Sequence, residues 1–235
     1  MSNWTIYDID KKPTTRVSAV YENTALTADD FEQCPFKNEI LGNNEVLFVF
    51  VSGSYLSEMF DGTSDYDLVV VVKPPVKYKD EKKYFVYKGR HIHWYYRAAD
   101  EYLAPVSDEN QFHAMGVYRC AYLKEEHFLY INPKYPEAKD IFMSNMDLLA
   151  KSGLYLYYLY AFGKAYAVIK TKEITERTPL KTLSHALEIN TKFLNNRLCD
   201  AAFIRKVRRS KYNGGLSKED TKKFIDMLPI AFDNI

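Results

Sequence analysis

Two uninterrupted apolar runs stand out from a mostly polar front half: VLFVFV from Val46, opened by Glu45, and LVVVV from Leu68. Their shortness and their β-branched and aromatic content predict buried strands from Glu45 to Val51 and from Leu68 to Val72. The stretch KKYFVYKGRHIHWYYR (residues 82–97) predicts a hairpin of two aromatic strands turning at Lys88-Gly89. The first 45 residues read as polar and irregular, with one helix signal where Thr27 stands three before Asp30, a capping-box spacing. Residues 100–140 are mixed, and their short elements are not placed by the pattern.

After about residue 141 the period changes. Ser144-x-x-Asp147 predicts the start of a long helix reaching about Lys170. Thr178-Pro179 reads as a cap followed by proline at the first helical position, with Leu180, Leu183, Leu187 and Leu194 at helical spacing behind it. A further helix runs from near Cys199 to Gly214-Gly215, and Ser217-x-x-Asp220 caps a last one ending before Pro229. Strands first and helices after predict an α+β chain, with a small mixed sheet domain over residues 1–140 and a helical bundle over residues 141–235. No internal repeat or low-complexity linker interrupts this layout.

With 47% hydrophobic and 27% charged residues, the chain can fill a core, which excludes wholesale disorder. The net charge of +1 hides an asymmetry: residues 1–140 carry 16 basic and 22 acidic side chains, residues 141–235 carry 16 and 9. An acidic front and basic back suit a protein that holds metal ions on one side and phosphates on the other, or simply two domains with different solvated surfaces. Cys34, Cys120 and Cys199 are far apart, which argues for a reducing compartment and against a zinc site or disulfide framework. The start MSNWTIYDID shows no secretory pattern. The greasiest stretch, from Leu154 to Lys170, is broken by Lys164 and crowded with tyrosine, so it reads as a buried helix rather than a membrane span. The expected location is cytoplasmic.

Asp65 and Asp67 sit at the mouth of the second apolar strand. Residues i and i+2 of a strand point to one face, so the two carboxylates aim at one point. Hard oxygen ligands so placed suit Mg²⁺ bound together with substrate phosphates. Gly53-Ser54 ends the preceding strand, where SYLSEMF can begin a helix. Glycine allows close backbone approach, and helix-start amides with the Ser54 hydroxyl can hold phosphate. The bland alternative for SDYD is a solvated turn capping a strand.

Gly-Ser, ten intervening residues and Asp-x-Asp between apolar runs resemble the signature of the DNA polymerase β-like nucleotidyltransferase superfamily, GTSDYDL most of all. The match covers roughly Val46 to Lys73, and the helical tail resembles the bacterial and phage predicted nucleotidyltransferase branch. The resemblance implies that Gly53 and Ser54, with Ser64, contact a nucleoside triphosphate, and that Asp65 and Asp67 ligate Mg²⁺ or Mn²⁺. It also implies transfer of a nucleoside monophosphate to an acceptor hydroxyl with release of pyrophosphate, the helical domain closing over the nucleotide.

One part of the pattern is missing. The superfamily usually carries a third carboxylate on a later strand, and the hairpin strand GRHIHWYYR holds none. His91 and His93 share one face of it, and either can stand in as general base or metal neighbour; cross-strand packing is the plainer use. Asp100 or Glu101 folding back is another route to the acid. In the tail, Arg205, Lys206, Arg208 and Arg209 can grip an RNA or DNA backbone or form a solvated helix face. Lys164, alone among aromatic residues, can face an anion or snorkel outwards. The competing readings are a nucleotide-binding protein without turnover, and transfer onto a protein or small molecule. No protein partner is named by any motif.

Overall fold

The computed structural model describes residues 4–8, 25–56, 64–77, 83–105 and 123–151, together with Ser217 and Glu219. Contacts divide the chain into one unit of Met1–Met115 with Tyr122–Leu148 and a second of Gly116–Ala121 with Leu149–Ile235. Six strands of the first unit form one sheet: β1 (Trp4–Asp8), β2 (Val46–Ser52), β3 (Tyr66–Val72), β4 (Lys83–Tyr87), β5 (Arg90–Ala98) and β6 (Phe128–Ile131), in the spatial order β1-β4-β5-β3-β2-β6. Only β3 and β5 run parallel; the other four pairings are antiparallel. The fold is α+β with a mixed sheet.

β2 and β3 are apolar without alternation because the sheet is covered on both faces. On one face Val49, Val51, Leu68, Val70 and Val72 join a core with Phe31 and Cys34 of the α1 region (α1, Ala28–Glu32) and Ile40 of α2 (Lys37–Leu41). On the other, Phe48 and Phe50 meet Phe128, Tyr102 of α3 (Asp100–Leu103) and Phe142 of α4 (Pro136–Lys151), at ring separations of 5.3–6.4 Å. Asn145 donates to the carbonyls of Tyr102 and Ala104 at 3.1 and 2.9 Å, tying α4 to α3. β5 alternates instead. Its residues Arg90, Ile92, Trp94 and Tyr96 are buried, while His91, His93, Tyr95 and Arg97 turn to the more open side.

The capping box at Thr27 and Asp30 forms as the spacing predicts. The hairpin turns at Lys88 and Gly89, both with positive φ (46° and 80°), the backbone that a two-residue turn of this twist needs. Three expectations change. The front segment is not wholly irregular, since β1 pairs with β4 and α1 and α2 cover the sheet. β6 occupies part of the mixed stretch and adds the edge beyond β2. The long helix starts at Pro136, not at Ser144, because a proline at the first position lacks only an N–H that has no helical partner there. Ser144 and Asp147 are exposed residues inside it. The helices expected around Thr178, Cys199 and beyond, and the stretch from Leu154 to Lys170, lie outside the described residues, apart from Glu219, which is helical. Among the described residues no helix is long and apolar enough to cross a membrane.

Candidate active site

Three strand ends meet at one rim of the sheet. β2 leaves it at Ser52, β3 and β5 enter it at Tyr66 and Arg90, and the register sets Asp67 beside Ser52 on one flank and His93 on the other. Side chains of paired residues lie on one face. Asp67 and His93 therefore share a face, and the period of two adds Asp65 and His91 to it.

The distances agree with the register. His93 Nε2 stands 3.6 Å from Asp65 Oδ2, with the two side chains 37% and 29% exposed. The His91 and His93 rings lie 3.7 Å apart at 69° to one another. One ligand atom from each of Asp65, His91 and His93 falls within 4.8 Å of the others. Both histidines thus lie beside Asp65 at this rim. Asp100 and Glu101 do not come: they open α3 beyond the far end of β5, exposed, roughly 20 Å along the strand at about 3.3 Å per residue.

Gly53 begins a 3-10 turn, Gly53–Leu56, directly after β2. Its φ of +68° is left-handed backbone, and a Cβ built there would meet Asp67 Oδ2 at 2.1 Å. The glycine is thus required twice, for its backbone and because the Asp67 carboxylate occupies the space a side chain would take. This close approach is to a carboxylate of the same chain, which the sequence does not disclose. The backbone of Ser54 lies in the turn; its side chain is outside the described residues.

Two supports went unnoticed in the sequence. Arg90 is buried, donates from Nη1 to the Ser64 carbonyl at 2.9 Å and lies 5.8 Å from the Tyr66 ring, so it holds the backbone on which Asp65 is mounted. Its signal was the alternation of β5, which puts an arginine on the buried face beside Ile92. Tyr55 braces the 3-10 turn, packing against Tyr66 at 5.6 Å and edge-on to His127 at 5.8 Å. Burial pushes the Tyr55 phenol up and holds His127 below the usual histidine value. His127 Nδ1 accepts from the Lys124 backbone N–H at 2.9 Å, consistent with a neutral ring.

The donor set fits a divalent cation. Oxygen from Asp65, just before β3, and nitrogen from the two imidazoles of β5 come together on paired strands, while the Asp67 carboxylate lies against Gly53. Lys164, Arg205, Lys206, Arg208 and Arg209 lie outside the described residues. The family model of the nucleotidyltransferase domain matches residues 34–110, a stretch that holds the rim residues just described. No curated protein matches the chain.

Proposed function

We propose that the chain is a nucleotidyltransferase of the DNA polymerase β-like superfamily, a reading supported by the nucleotidyltransferase domain model matched over residues 34–110, and that it moves a nucleoside monophosphate from a nucleoside triphosphate to an acceptor hydroxyl. The observation that carries this reading is the Asp67 carboxylate seated against Gly53, with Asp65 and His93 beside it. Asp65 and Asp67 would hold a divalent ion, Mg²⁺ or Mn²⁺, which when bound offsets the charge of the phosphates. Gly53, Ser54 and Ser64 contact the triphosphate. The acceptor oxygen attacks the α-phosphorus, the bond to the bridging oxygen breaks, and pyrophosphate departs with that electron pair. In this reading His91 or His93 takes the part of the superfamily's third carboxylate and prepares the hydroxyl, either by taking its proton or as a ligand of a cation beside it.

Residues 141–235 act as a helical domain in this reading. Lys164 grips phosphate, and Arg205, Lys206, Arg208 and Arg209 bind the backbone of an RNA end, or a DNA end, as acceptor. The test is pyrophosphate release with each nucleoside triphosphate and an RNA end, repeated at rising salt. Addition to RNA should fall steeply with ionic strength; transfer to a protein or small molecule should respond much less. His93→Ala should abolish transfer while triphosphate binding survives, and unchanged turnover would remove His93 from the mechanism. A second reading, nucleotide binding without turnover, is favoured by one observation: among the described residues the histidines, not a further carboxylate, complete the rim. It predicts no pyrophosphate release with any acceptor.

A further inference from the structure

The superfamily reading leaves the two histidines with alternative roles, and their geometry favours one. We infer that Asp65, His91 and His93 bind one first-row transition-metal dication of the Co²⁺ or Zn²⁺ class, in preference to Mg²⁺. This deepens the nucleotidyltransferase reading and rests on it only for the expectation that the rim works with a cation.

The spacing comes first. Donor atoms on one ion with bonds of about 2.1 Å stand about 3–4.2 Å apart. The His93 Nε2 to Asp65 Oδ2 distance of 3.6 Å is inside that range, and a spread of 4.8 Å for all three closes with small side-chain rotations. Packing alone accounts poorly for the imidazoles. Aromatic pairs ordinarily settle at about 4.5–7 Å between centroids, whereas these rings are 3.7 Å apart. Rings this close bring two nitrogen donors within reach of a single ion.

The chemistry then selects the ion. Mg²⁺ takes oxygen ligands and dehydrates reluctantly, while imidazole nitrogen suits the later first-row ions. A site with two nitrogens to one carboxylate belongs with the latter. The mounting is stiff on every side: β5 is paired through His91 to Val86 of β4 and through His93 to Asp67 of β3, and Arg90 anchors the Ser64 carbonyl next to Asp65. Supporting contacts of this kind orient ligands and raise affinity. Nitrogens that hold an ion cannot also take a proton, so both histidines become ligands and the general-base role falls away.

The test uses the full chain stripped of metal and titrated separately with CoCl₂ and MgCl₂, following visible cobalt absorption and, for Mg²⁺, its displacement of Co²⁺. One equivalent of Co²⁺ should bind at least about tenfold tighter than Mg²⁺. The Co²⁺-loaded wild type should also show hyperfine-shifted imidazole N–H proton signals, a readout that needs no variant. His91→Ala and His93→Ala should each weaken Co²⁺ binding by at least about tenfold. Equal affinities for the two ions, absence of the shifted imidazole signals, or variants that bind Co²⁺ unchanged would each overturn the inference. Wild type that binds Mg²⁺ with a triphosphate but shows no preference for Co²⁺ sinks the inference and leaves the transferase reading standing. Co²⁺ bound at the three residues, with no triphosphate bound under any metal, does the reverse.

Discussion

The two ends of β3 both carry polar clusters, built in opposite ways. At the exit, Glu45 and Lys73 pair at 3.4 Å, Lys73 Nζ lies 3.6 Å over the Tyr135 ring, and the Tyr135 hydroxyl donates to Glu45. That hydrogen bond first, and Lys73 second, hold the Glu45 carboxyl below its usual value. The side chains are long and solvated, and opposite charges satisfy each other. At the entrance, Asp65 and Asp67 meet His91 and His93 on short stems from strands in fixed register, with a left-handed glycine and a buried arginine behind them. Long exposed pairs tolerate change because their geometry is soft. Short donors on rigid strands hold a preorganised point, which is what binding an ion and its phosphates requires.

Gly53→Ala should break the entrance most severely. The positive φ costs about 1–3 kcal/mol for a side-chain-bearing residue, and the new methyl group must displace the Asp67 carboxylate. Denaturant unfolding should show the stability loss, and metal-dependent triphosphate binding should disappear. Arg90→Met keeps the packing over Tyr66 but removes the donor to the Ser64 carbonyl. Affinity for the metal–triphosphate pair should drop about 10- to 100-fold, measured by calorimetry, with circular dichroism confirming the fold.

A smaller effect runs through His127. Burial lowers its folded value, so the unfolded chain binds the proton more readily, and the stability this gives is complete above about pH 6.5 and lost as pH falls below it. The thermal midpoint should therefore fall between pH 7.5 and 5.5, loosening the Tyr55 contact behind the 3-10 turn. His127→Asn, which keeps an acceptor for the Lys124 N–H without titrating, should flatten that dependence. Smallest of all, Glu45→Gln and Tyr135→Phe at the exit should leave triphosphate affinity unchanged and shift the unfolding midpoint only slightly. A marked loss of affinity there would erase the distinction between the two ends.

The same contrast explains what could be read from the chain. β2, β3 and the hairpin were legible because continuous apolar runs and a Lys-Gly turn are local signals, and Asp65 with Asp67 followed from the period of two. β1 and β6 were not, since WTIYD and FLYI are edge strands of five and four residues whose formation depends on distant partners. The start of α4 was misplaced because Ser144 and Asp147 imitate a cap in sequence, while Pro136 marks the true first turn. The seating of Asp67 against Gly53 joins two strands through space, which no local pattern records.

The most direct measurement is calorimetric titration of the purified chain with each of the four nucleoside triphosphates, with and without Mg²⁺, beside the Asp65→Asn, Asp67→Asn double variant. Metal-dependent binding of at least one triphosphate, lost in a folded double variant, is the predicted result. Binding that ignores the metal, or persists in the double variant, would contradict the assignment of the β3 entrance as the site.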